Sequence, residues 1–290
     1  MSAIVQEITT QPSAWAEAVR LAPLAAPILP SRGERIAAVG CGTSAFMAEA
    51  FASLREAAGH GETDAFPASE MPPGRPYHAI VAISRSGTTT EVLRLLEAVE
   101  VPTIAITAVA DSPIARAAND ALVLEFADER SVVQTRFATS TLALLRAHLG
   151  QDLGQAMADA EVALRTELPL EPGAFDHYVF LGTGWTVGLA HEAALKLREA
   201  SGSFTEAYPA MEYRHGPISL AGSRSAVWAL GRVDPRLLED VAATGATVVA
   251  GELDPMAQLI QVQRTAVALA ELRGLDPDHP RNLTRSVVLS

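Results

Sequence analysis

At 290 residues the chain is long enough for two domains with substantial cores. A formal net charge of -12 without any basic stripe argues against a nucleic-acid partner, so anionic ligands must be met by local donors. The single cysteine, Cys41, leaves no intramolecular disulfide framework, and no apolar run is long enough to span a bilayer. Without a signal-type apolar segment at the start, the expectation is a cytoplasmic protein.

Residues 1–32 read as an N-terminal arm, with a short helix over Pro12 to Val19 and a proline-broken stretch from Leu21 to Pro30. From Arg35 the pattern alternates. Ile36 to Val39 is a buried-type strand, Gly40 to Ser44 a glycine-rich turn and Ala45 to Ala58 an amphipathic helix. His78 to Ile83 is a second strand; Ser84 to Thr90 and a helix through Leu96 follow. Pro102 to Thr107 and Ala121 to Glu125 are two more strands, separated by a short helix near Ile114 to Ala118. Ser131 to Arg136 leads into one long helical stretch over about Thr139 to Leu164.

Pro169 to Gly173 marks a linker. The second half repeats the scheme: strand Tyr178 to Leu181, turn Gly182-Thr-Gly184, helix Val187 to Glu199. Strands Ala226 to Leu230 and Thr247 to Ala250 alternate with helices near Pro235 to Ala242 and Met256 to Leu272, ahead of a polar, proline-bearing tail. The strand–helix alternation predicts an α/β fold: two doubly wound domains, each a mostly parallel sheet flanked by helices, at 33–168 and 174–290.

Three groups of residues carry chemistry. Glu192, Lys196 and Glu199 fall at i, i+4 and i+7, on one face of a helix rich in strong helix formers. A solvent-exposed ion pair is the plain alternative for such spacing. Against it, Lys196 is the only lysine in a chain that otherwise uses arginine, which points to a need for a compact amine. The second group is the pair of turns that follow strands and open helices, Gly42 to Ser44 and Ser84 to Thr90, where backbone amides and hydroxyls converge on an anion. Neither is a Walker loop nor a dinucleotide fingerprint. Either turn also reads as an ordinary helix cap, though capping needs one hydroxyl and the second turn has five. The third is His215, in the turn Arg214-His-Gly-Pro217, for which a histidine bonded to nearby backbone is the plain alternative. His60, His78, His148, His177, His191, His215 and His279 show no metal-ligand spacing, and neither a metal nor a cofactor is expected.

Cys41-Gly-Thr-Ser44, Ser84-Arg-Ser-Gly-Thr-Thr89, Glu192 to Glu199, Glu206-Ala-Tyr208, His215-Gly-Pro217 and Pro280-Arg-Asn-Leu283 together resemble the sugar isomerase (SIS) domain family, from about Arg35 onward. The resemblance is to the tandem isomerase half of glutamine–fructose-6-phosphate aminotransferases and to stand-alone hexosamine-6-phosphate deaminases and ketose/aldose isomerases. It implies that Thr43, Ser44, Ser84, Arg85, Ser86 and Thr89 hold a sugar phosphate, and that Val132 and Gln134 line the sugar. Glu199 would move a proton between C1 and C2, Lys196 would assist at the sugar oxygens, and His215 would open the ring in a partner subunit's site of a homodimer. Arg285 stands where the aminotransferases carry an imine-forming lysine; a guanidinium stays protonated and cannot form an imine, so Arg285 would contact the substrate instead. The activity implied is aldose–ketose isomerisation or deamination of a hexose or hexosamine 6-phosphate. A non-catalytic sugar-phosphate sensor and the isomerase subunit of an aminotransferase are the alternatives.

Overall fold

The computed structural model describes residues 2–289. Two helices open the chain, α1 (Ala3–Thr9) and α2 (Gln11–Ala25). The expected arm is thus helical on both sides of Thr10, and α2 continues through Pro23. The elements then alternate: β1 (Ile36–Gly40), α3 (Thr43–Ala57), β2 (Thr63–Pro67), β3 (Ala79–Ile83), α4 (Thr90–Ala98), β4 (Thr103–Thr107), α5 (Pro113–Ala117), β5 (Asp120–Val123) and α6 (Arg136–His148). After α7 (Gly154–Arg165) come β6 (His177–Gly182), α8 (Thr186–Ser201), β7 (Phe204–Pro209), β8 (Ser225–Leu230), α9 (Pro235–Ala243), β9 (Thr247–Val249) and α10 (Pro255–Leu272).

The chain forms two compact units. One comprises residues 10–153 and 284–289 and contains a five-stranded parallel sheet of order β2-β1-β3-β4-β5. Strands β1, β3 and β4 are buried at every position, as a sheet covered on both faces requires. Helix α2 packs on α6, where Trp15 is 1% exposed and donates its indole N–H to Thr139 Oγ1 at 2.8 Å. Arg55, fully buried, donates to the carbonyls of Ser31, Glu34 and Gly61 and to Thr63 Oγ1, which ties the edge strand β2 to the body of the sheet.

The other unit comprises residues 2–9 and 154–283, with a four-stranded parallel sheet of order β7-β6-β8-β9. Helices α8 and α10 pack together, α7 and α1 pack on α10, and the first amides of α1 donate to the Asp278 carboxylate at 2.7 Å. The expected single helix from Thr139 to Leu164 is two helices. Gly150 turns the chain at φ 82°, and α7 belongs to the second unit. The expected linker at Pro169 to Gly173 therefore lies inside that unit, after its first long helix.

Candidate functional site

Helix α8 is built of alanine, leucine, glutamate and lysine and ends where Gly202 takes the left-handed conformation at φ 64°. Its spacing stacks three charged side chains. Lys196 Nζ lies 2.5 Å from Glu199 Oε2 and 3.6 Å from Glu192 Oε1. Glu192 and Lys196 are buried, which removes the exposed-pair reading of this spacing; the Glu199 side chain keeps 19% of its surface. Burying an ammonium is costly unless carboxylates surround it, and two do so here. Glu199 opens onto a cavity of about 560 Å³ whose wall also includes Arg198, Arg273, His279 and Arg281. Arg198 and Arg273 are fixed there by hydrogen bonds to Thr205, Ser201 and Ser203. A partly exposed carboxylate held by a buried amine is suited to accepting and returning a proton.

In the same unit, Glu206 sits on the edge strand β7 between two partners that adjoining residues supply. Its Oε2 is 2.6 Å from His177 Nε2 on β6, and its Oε1 accepts from the Tyr208 hydroxyl at 2.7 Å. Burial and this carboxylate push Tyr208 up to about 12, and burial does the same to Tyr213. His215 ends the 3-10 turn Ala210–His215 and is exposed; Gly216 follows at φ 134°.

In the unit that holds the five-stranded sheet, two turns stand at the carboxyl ends of adjacent central strands. Gly40 closes β1 against α3 so tightly that a Cβ there would come within 2.6 Å of the Ser44 backbone. Thr43 and Ser44, in the first turn of α3, are buried. Burial pushes the Cys41 thiol up, which disfavours its thiolate. After β3, Ser84 Oγ lies 3.2 Å from Thr89 Oγ1. Gly87, at φ 64°, passes so close to Ser112 that a Cβ would overlap it. The Ser86 and Thr88 hydroxyls both meet Ser286 Oγ, at 3.1 and 2.8 Å.

Arg85 takes a different direction from its neighbours. It is 2% exposed, and its guanidinium donates to the carbonyls of Ser131 and Arg285, each at 2.9 Å. Glu129, 3.7 Å away, is its buried counter-charge and also accepts from Thr135 N, Thr135 Oγ1 and Arg136 N at the start of α6. Arg85 therefore joins three segments: its own loop, residues 129–135 and the tail. Val132 and Gln134 lie on the joined segment, both half-buried, and Gln134 Oε1 is a buried acceptor that meets no donor. The Arg285 side chain pairs with the Asp128 carboxylate. Glu129 and His177 escaped the sequence reading because their partners are brought to them only by the fold. The one signal available was that Glu129 and His177 are ionisable residues bordering segments otherwise destined for burial. Among the described residues no cluster of metal-ligating side chains occurs, and no helix is long and apolar enough to cross a membrane.

Residues 29–149 match the SIS domain family. The chain is 30% identical over 271 aligned residues to glutamine–fructose-6-phosphate aminotransferase (isomerizing) of Xanthomonas campestris pv. campestris, covering 74% of this chain and 44% of that one. It is 30% identical over 318 aligned residues to the enzyme of the same name from Gloeobacter violaceus, covering 88% and 52%. The chain thus spans about half the length of the curated relatives it matches. Among solved structures it is similar to a glucosamine-6-phosphate deaminase from Thermotoga maritima, with a TM-score of 0.82 and 27% identity over 99% of this chain and 100% of that one. It shares its fold with the C-terminal domain of glucosamine-fructose-6-phosphate aminotransferase from Francisella tularensis, at a TM-score of 0.85 and 23% identity over 97% and 98% of the two chains.

Proposed function

The chain belongs to the SIS domain family, whose match covers residues 29–149, and from that premise we propose that it is a phosphosugar isomerase that deaminates a hexosamine 6-phosphate. We further propose that the unit formed by residues 2–9 and 154–283 is a second SIS-type domain. The observation that carries the reading is the buried Lys196 amine bonded to the partly exposed Glu199 carboxylate.

In this reading the sugar phosphate is held by Thr43, Ser44, Ser84, Ser86 and Thr89, and Val132 and Gln134 meet the sugar hydroxyls. The orphaned Gln134 Oε1 supports that role, since a buried acceptor without a donor is costly until something supplies one. His215, presented across a homodimer interface, opens the ring. Glu199 takes the proton from C2 and returns it to C1, while Lys196 stabilises negative charge as it develops on the sugar oxygens. For a 2-amino sugar the product is the C2 imine, which water hydrolyses to the ketose phosphate and ammonia. No imine with the enzyme is required, consistent with arginine at position 285 and its pairing with Asp128. Arg85 serves as a positioning residue that binds the loop to the tail, and not as a phosphate ligand.

The test is direct: glucosamine 6-phosphate is incubated with the pure protein, and ammonia and fructose 6-phosphate are measured. Equal release of both, lost in Glu199→Gln, is the expected result. No turnover of any hexose or hexosamine 6-phosphate by the native protein would overturn it.

A further inference from the structure

The turn after β6 copies the turn after β1. Gly42 and Gly184 sit at φ 54° and 58°, each just before a long helix. Ser44 N donates to Cys41 O at 3.2 Å and Ala45 N to Gly42 O at 2.9 Å; Thr186 N donates to Thr183 O at 3.3 Å and Val187 N to Gly184 O at 3.1 Å. A Cβ on Gly40 would strike Ser44, and one on Gly182 would strike Thr186. Both β1 and β6 lie where strand order reverses, between β2 and β3 in one sheet and between β7 and β8 in the other. Open α/β sheets receive ligands at that position.

The second position has a cavity of its own, about 790 Å³, lined by Thr183, Trp185, Arg232, Glu252 and Asp254 among others. Its rim is already braced. Gln258, 2% exposed, accepts from Gly231 N at 2.9 Å and donates to Gly251 O and Leu253 O at 2.8 and 3.0 Å. One buried amide thereby holds the loops after β8 and β9 in place, so little ordering remains to be done when a ligand enters. The lining differs from that of the first turn in kind. Trp185 stands where the first turn has Thr43, and Arg232 follows β8 where the first sheet has its run of hydroxyls. An indole face suits the C–H surface of a sugar ring, a guanidinium suits a phosphate, and carboxylates suit an ammonium.

We propose that this cavity is a second ligand site that takes an amino-sugar phosphate, its phosphate on Arg232, its ring on Trp185 and its amine toward Glu252 and Asp254. The ligand class rests on the function proposed above; the site does not use Glu199 or the Ser84–Thr89 loop. Equilibrium dialysis of glucosamine 6-phosphate and of fructose 6-phosphate tests it, on the full chain carrying Glu199→Gln so that ligand is not consumed. Two equivalents of glucosamine 6-phosphate per chain are expected. Arg232→Ala, at an exposed position that leaves folding intact, weakens one of them about ten- to a hundredfold and spares the other. Trp185→Ala weakens the same one, and Ser86→Ala only the other. Fructose 6-phosphate, lacking the amine, binds the Arg232-dependent site more weakly than the amino sugar does. A single equivalent that disappears in Ser86→Ala and is indifferent to Arg232→Ala overturns the second site while upholding the first. An Arg232-dependent equivalent with no Ser86-dependent one does the reverse, supporting this site and removing the phosphate loop from the proposed function.

Discussion

Lys196 Nζ stands 2.5 Å from Glu199 Oε2, with the amine shut away from solvent and the carboxylate left partly open. The amine fixes where the carboxylate points, and the carboxylate keeps one edge open. Glu199→Gln should keep the same shape while losing the base. Turnover is expected to fall by at least about a hundredfold with substrate affinity little changed, as seen in a comparison of kcat and KM.

Removing only the amine should cost stability as well as activity. Lys196→Met leaves Glu192 buried beside an apolar chain and is expected to lose about 3 kcal/mol in urea unfolding. Pairing it with Glu192→Leu should recover most of that loss without restoring activity. Recovery would separate the structural role of the pair from its catalytic one; a double variant no more stable than Lys196→Met would contradict the assignment.

Arg85 offers a test of the loop–tail connection. Arg85→Leu removes two charged hydrogen bonds, one to Ser131 O and one to Arg285 O, and leaves Glu129 without its counter-charge. The tail should loosen. The Thr90 amide, which donates to Val287 O, and the Leu289 amide, which donates to Thr90 Oγ1, should exchange with deuterium about tenfold faster or more. Unchanged exchange at both amides would show that the tail is held by other contacts.

Stability should fall in mild acid through two histidines of the first unit. Burial holds His148 below its ordinary value of 6.5, and burial followed by Arg32 and Arg55 does the same to His60. The unfolded chain then binds more protons than the folded one as pH drops below about 6.5. The contribution is complete above that value and drains away toward the folded pKa values. Urea midpoints should drop between about pH 7.5 and about pH 5.5, and His148→Gln should show a smaller drop than the native chain.

Much of this architecture was legible in the sequence for a simple reason. Ile36 to Val39, Ala79 to Ile83 and Thr103 to Thr107 are apolar runs too short for helices, and strands buried on both faces have that pattern. The edge strands Thr63–Pro67 and Phe204–Pro209 escaped because one side meets solvent and polar residues interrupt them. The stack on α8 followed from helical periodicity alone. What no pattern announced was the inward turn of Arg85, since a side chain in a loop has no periodicity to betray its direction. Glu129, its partner, lies 44 positions away.

The tail segment has an implication for synthesis. The five-stranded sheet of the first unit can assemble once residue 153 is available, yet the hydroxyls of Ser86 and Thr88 meet Ser286, and Arg85 meets Arg285, only after the whole second unit has emerged. Domains form in order of emergence from the ribosome. During translation the nascent protein therefore carries an early-folded half whose Ser84–Thr90 loop stays unfastened until residues 284–289 reach it.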